Sequence, residues 1–221
     1  MKRTGRGDGN HPPVCIGVLM DTVCEDAYRL LAACFYPPTT QLREEQCCTT
    51  LVQILDQFCP AAADHARQAA ACLNSSTTEQ LLVEYSRLFL GPFKLIAPPY
   101  GSVWMDQSKT VMGESTAQVA AFYQAHGLRL ADDFPELPDH IAVELEFLSY
   151  LCFKQREARV TEDTAGAERY AQAHQVFLST LLLPWLTPFC EAISNDAEAP
   201  FYAAIAQCTT TFVAAWVAGN A

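Results

Sequence analysis

Positive charge is scarce in this sequence: 14 Lys and Arg stand against 25 Asp and Glu in 221 residues, a formal net charge of -11. Such a balance repels phosphate backbones and anionic membrane surfaces, so it argues against nucleic-acid binding and favours a basic partner. Long apolar runs are missing too. None approaches the ~20 residues that span a bilayer, and no stable membrane insertion is expected. The start, MKRTGRGDGNHPP, leads only into the short run VCIGVLM. Lys2-Arg3 is followed by Gly, Asp, His and Pro where an export leader would turn apolar. A cytoplasmic protein is the expectation.

Catalytic and phosphate-binding signatures are also absent. The chain has no GxSxG, no HExxH, no GxGxxG and no Walker-type loop. Its ten cysteines contain no CxxC; only Cys47-Cys48 are close, while Cys15, Cys24, Cys34, Cys59, Cys72, Cys152, Cys190 and Cys208 are scattered. Zinc and iron–sulfur sites ordinarily recruit thiolate pairs a few residues apart. The spacing therefore predicts no metal and no cofactor, with the thiols reduced and serving as small core residues.

Alternation of the strand kind is nearly lacking, whereas helical periodicity recurs. DTVCEDAYRLLAACFY places Val23, Ala27, Leu30, Leu31 and Cys34 on one face and stops at Pro37-Pro38. Further helices are predicted at 41–58, 61–73, 75–90, 114–126, 139–156, 164–183 and 200–217, with a short one between Pro184 and Ser194. The last long helix is the clearest, because Phe201, Ile205, Cys208, Phe212 and Trp216 recur at three- and four-residue steps. Half of the residues are hydrophobic, enough for a sizeable core. The fold class is all-α, a single-domain helical bundle over 21–221 behind a flexible N-terminal tail at 1–20. A monomer or dimer is expected.

Two stretches break this helical texture. LFLGPFKLIAPPYGSVW, residues 88–104, is stiffened by Pro92, Pro98 and Pro99 and carries Phe93, Tyr100 and Trp104 beside Tyr85 and Phe89 of the preceding helix. Its aromatics suit gripping an apolar chain, or equally plugging one end of the bundle. ADDFPELPDHIAVELEFLSYL, residues 131–151, crowds Asp132, Asp133, Glu136 and Asp139 before a helix, with His140 and Glu144 on its flank. Asp139 reads either as the helix N-cap or as a binding carboxylate. An enzyme, a hydrolase or nucleotide-dependent assembly factor using Asp139, His140 and Glu144, is the alternative. No nucleophile is signalled, and adjacent helical residues point apart.

YSRLFLGPFKLIAPPYGSVWMD followed by PDHIAVELEFL resembles the TorD/DmsD-type redox-enzyme maturation chaperones, within the broader group of nitrate-reductase delta-like assembly proteins. ACFYPP, LLLPWLTPF and APFYAAIAQ add weaker likeness. The resemblance implies an all-helical, non-catalytic chaperone. Its implied partners are the twin-arginine leader and the immature, cofactor-free body of a molybdopterin oxidoreductase, with cofactor insertion assisted and export delayed. Carried over by motif, the peptide-binding residues would be Tyr85, Leu88, Phe89, Pro99, Tyr100, Trp104, Asp139 and His140. Asp139 would face the basic end of the leader; His140 either adds a pH dependence near its ordinary value of about 6.5 or equally serves as a capping or packing residue. Where relatives often carry a His before the Leu-x-Pro-Trp segment, this chain has Leu181, so no role of that His is carried over.

Overall fold

The computed structural model describes residues 13–91 and 95–219, which puts Pro92 and Phe93 outside the described residues. The helices are α1 (Pro13–Phe35), α2 (Gln41–Glu44), α3 (Cys47–Leu55), α4 (Pro60–Ser75), α5 (Thr78–Tyr85), α6 (Gly101–Met105), α7 (Glu114–Ala125), α8 (Ile141–Val160), α9 (Thr164–Phe177), α10 (Leu183–Ser194) and α11 (Pro200–Gly219). Among the described residues no strand forms. One isolated antiparallel bridge, Tyr100 to His140, is the sole β-type pairing there. The all-α bundle expected from periodicity is thus the observed fold.

Helix α1 lies along α8, which packs in turn on α9; α11 lies on α4 and α10, and α3 bridges α1 and α4. Trp185, Tyr28, Tyr202, Phe35, Phe177, Phe189 and Phe201 are the largest fully buried side chains and fill the space between these pairs. The stripe read on α11 points inward: Phe201, Ile205 and Cys208 are fully buried, and Phe212 nearly so. Eight of the nine described cysteines are buried free thiols, in keeping with their reading as small core residues. Thr164–Ser194 and Pro200–Gly219 are long and apolar enough to cross a membrane. Half of each apolar window is buried inside the bundle, as in the core helices of a folded domain.

Several boundaries differ from the sequence reading, each for a local reason. Helix α1 begins at Pro13, so it takes in part of the 1–20 segment read as a tail; Pro suits the first turn because its missing N–H has no helical partner to lose. The helix expected at 41–58 is broken into α2 and α3 at Gln46, whose φ of 53° is left-handed and cannot continue a right-handed helix. Thr77 starts α5 with a capping box shared with Gln80. That helix then widens into a π-turn at Ser86–Leu90 and stops at Gly91, φ 48°. A second π-turn, Leu178–Leu182, joins α9 to α10, so Pro184 does not separate two helices as expected. The wide turn precedes a residue with no N–H to donate.

Left-handed backbone costs a non-glycine residue about 1–2 kcal/mol. Gln46→Gly is therefore expected to raise stability by up to about 1 kcal/mol, while β-branched Gln46→Val lowers it by about 1–2 kcal/mol. Urea denaturation of both variants, with wild type alongside, measures this.

Candidate functional site

The two stretches that broke the helical texture meet in space. Between α5 and α6, residues 98–101 run antiparallel to 138–141: Ile141 N–H donates to the Pro99 carbonyl at 2.9 Å, and Gly101 N–H donates to the Asp139 carbonyl at 2.8 Å. The Asp139 side chain completes the clasp, its Oδ2 accepting the Ser102 N–H at 2.8 Å. This carboxylate thus serves the start of α6. The N-cap of α8 is His140 instead, whose Nδ1 accepts the Ala142 N–H at 3.2 Å. Trp104 Nε1 donates to the Pro98 carbonyl at 2.8 Å, folding the short helix back over its own approach.

Of the eight sequence-predicted site residues, Tyr100 and Trp104 are partly exposed. Tyr85, Leu88, Phe89 and Pro99 are buried beneath them. Tyr85 and Phe89 pack edge to face at 4.9 Å, and Phe89 continues onto Tyr202 and Phe189. Burial pushes the Tyr85 hydroxyl up to about 12. Asp139, expected to face the basic end of the leader, and His140 are fully buried. That corrects the expectation for Asp139, whose carboxylate is engaged with backbone; His140 takes the capping and packing role and is held as a neutral imidazole. Burial lowers its pKa to about 4, far from the ordinary titration near 6.5. With Nδ1 accepting, its proton sits on Nε2, which lies 3.9 Å from Glu136 Oε2.

The sequence reading did not single out Tyr36 for this site, although it lies in ACFYPP. It stacks on His140 with ring centroids 5.8 Å apart, while Tyr100 meets the other side of His140 edge-on at 5.2 Å. Tyr100 Oη donates to Glu136 Oε2 at 2.8 Å. Burial and the Glu136 carboxylate together hold the Tyr100 hydroxyl well above the ordinary phenol range. The result is a partly exposed aromatic and acidic rim of Tyr36, Tyr100, Trp104 and Glu136 over a buried polar floor of Asp139, His140 and Glu144.

Glu144 is fully buried, and burial, reinforced by the nearby Asp139 charge and opposed by the Trp185 indole, raises it far above the usual carboxylate range. Burial thus favours its protonated form. Trp185 also meets α6: a Cβ added to Gly101 would lie 2.9 Å from its Nε1. PPYGSVW and LLLPWLTPF, distant in sequence, are therefore packed face to face at a glycine that permits the close approach. The Asp139, His140 and Glu144 set of the enzyme alternative is sealed beneath this packing.

The helical bundle thus presents an aromatic loop over a closed polar floor, and comparisons with known proteins specify its class. The structure superposes on that of a redox enzyme maturation protein from Archaeoglobus fulgidus with TM-score 0.53 and 22% identity, covering 84% of this chain and 92% of that one. The sequence is 28% identical over 159 residues to the Tat proofreading chaperone DmsD of Salmonella typhimurium, 72% of this chain and 71% of the relative. It is 31% identical over 134 residues to the chaperone protein TorD of Vibrio cholerae, 61% of this chain and 59% of the relative. The class is that of the TorD/DmsD-type maturation chaperones rather than of enzymes. Residues 55–191 match the nitrate reductase delta subunit family, and the chain belongs to that family.

Two outcomes follow from this packing. Gly101→Ala forces its methyl against the immobile Trp185 indole and should destabilise the fold by about 1–3 kcal/mol, read as a lower urea midpoint. Glu144 binds its proton more tightly folded than unfolded, so its contribution is complete below about pH 4.5 and is lost as pH rises towards its folded value. Glu144→Gln removes that loss. As pH rises above about 4.5 the stability of wild type should fall relative to Glu144→Gln by up to about 1.4 kcal/mol per pH unit, levelling off once the folded-state value is passed.

Proposed function

We propose that this protein is a cytoplasmic chaperone that binds the twin-arginine leader and the immature body of a molybdopterin oxidoreductase, assisting cofactor insertion and delaying export. Family membership supports the chaperone part of this reading. The observation that carries the leader-binding part is the Tyr100–Glu136 contact at the partly exposed edge of the 98–104 segment, where an aromatic surface and a carboxylate adjoin. Tyr36, Tyr100 and Trp104 offer large, stiff apolar area for the hydrophobic run of a leader. Glu136, with Glu146 beside Tyr36, offers carboxylates to two adjacent guanidiniums, which favour bidentate acceptors.

In this reading the remaining carried-over residues act from below. Tyr85, Leu88, Phe89 and Pro99 hold the aromatic surface in place, and Asp139 and His140 fasten the loop to the start of α8. The net charge of -11 adds a long-range attraction for a basic leader and none for nucleic acid.

Calorimetric titration of a synthetic leader peptide, an Arg-Arg pair followed by an apolar run, tests the division of labour. Tyr100→Ala should weaken binding about tenfold at every salt concentration, the equivalent of roughly 60 Å² of apolar burial at about 25 cal/mol per Å². Glu136→Gln should weaken it mainly at low salt and flatten the salt dependence, since screening already removes that contribution at high salt. If both variants, with helicity unchanged, bind like wild type, the leader does not use this rim.

A further inference from the structure

Outside the leader-binding surface, three helices bring together a set of side chains that no sequence spacing suggests. Cys24 on α1, Cys152 on α8 and His174 on α9 each place one potential ligand atom within 4.8 Å of the other two. They are 0%, 1% and 3% exposed. His174 is flanked by Tyr28 and Trp216, both with ring centroids at 5.5 Å, and its buried Nε2 makes no hydrogen bond. An unpaired buried nitrogen of this kind is costly, and a bond to a metal ion would satisfy it.

We propose that Cys24, Cys152 and His174 form a zinc site. Two thiolates and one imidazole are the soft and borderline donors that zinc takes, usually completing a tetrahedron with a fourth ligand. Charge selects among the soft metals. Two thiolates with a divalent ion sum to zero, whereas the same pair with a cuprous ion leaves a net negative charge in an almost fully buried place. Asp21 does not alter this sum, because its carboxylate lies 2.7 Å from the Arg159 guanidinium. His174 also lines a cavity of about 430 Å³ with Gln155, Gln172, Gln175 and Trp216, which offers room for a water as fourth ligand. Binding converts both thiols to thiolates and releases their two protons.

The test uses the full-length chain, reduced and stripped with chelator, titrated with cobalt(II) as a visible stand-in for zinc. The expected result is one cobalt per chain, with a thiolate-to-cobalt charge-transfer band and the d–d absorption of a tetrahedral site, both abolished by one equivalent of zinc. Cys24→Ala, Cys152→Ala and His174→Gln should each weaken binding beyond the 10–100-fold that removing an outer-shell partner costs, roughly. Cys34→Ala is the control. It removes a buried thiol that contacts Cys48 and lies outside the three-ligand group, and it should leave the spectrum unchanged. Folded wild type that shows no thiolate–cobalt band and holds no stoichiometric zinc overturns the proposal without reference to any variant. A band that survives undiminished in folded Cys152→Ala overturns it equally.

Discussion

The docking of residues 98–102 onto 138–141 is the constraint on which the rest of the structure leans. A proline-rich segment leaves few backbone donors to satisfy, and those it has are spent on one neighbour: Gly101 and Ser102 N–H both point at Asp139, while Pro99 receives the N–H of Ile141. A carboxylate accepting a backbone amide in a buried place is worth more than the same bond in water, because the alternative is an unpaired charge in the core. The clasp fixes where α6 starts and how α8 is capped. It also sets the height at which Tyr100 and Trp104 emerge at the surface.

From that clasp the two ends of the chain are drawn together. Gly101 lets α6 approach Trp185, which packs on Phe189 of α10, and Phe189 meets Phe89 and Phe35 from the first half of the molecule. Glu144 is enclosed by the same packing, which favours its protonated form. A buried neutral acid beside a buried neutral histidine makes the floor of the candidate site chemically quiet, as suits a surface that holds a chain rather than transforms one. The acidic character that a basic ligand would meet resides one layer out, at Glu136 and Glu146.

Much of this was legible in the sequence. The periodic stripes of α1 and α11 depend on residues within a turn or two of one another, so local chemistry alone determines them. The motifs around 85–104 and 138–148 pointed to the family, and the structure brings the two stretches together. What they concealed was depth. Asp139 looks like a surface carboxylate in a polar stretch, and nothing near it in sequence reveals that it accepts the backbone N–H of Ser102. The break at Gln46 was hidden for the same reason: no glycine or proline marks it, and tertiary packing holds a conformation that propensity disfavours.

The sequence by itself therefore determined the helices, their apolar faces, the stiffness of the aromatic loop and the chain's net negative charge, all properties of composition and short-range periodicity. Only the tertiary structure decided which polar groups are solvated and which are sealed, because desolvation is set by everything packed around a group and not by its neighbours along the chain. It placed Asp139 and His140 beneath the surface and left Tyr36, Tyr100, Trp104 and Glu136 at it. It brought Cys24, Cys152 and His174 within ligand distance across three helices, a convergence that arises from helix packing and leaves no trace in spacing.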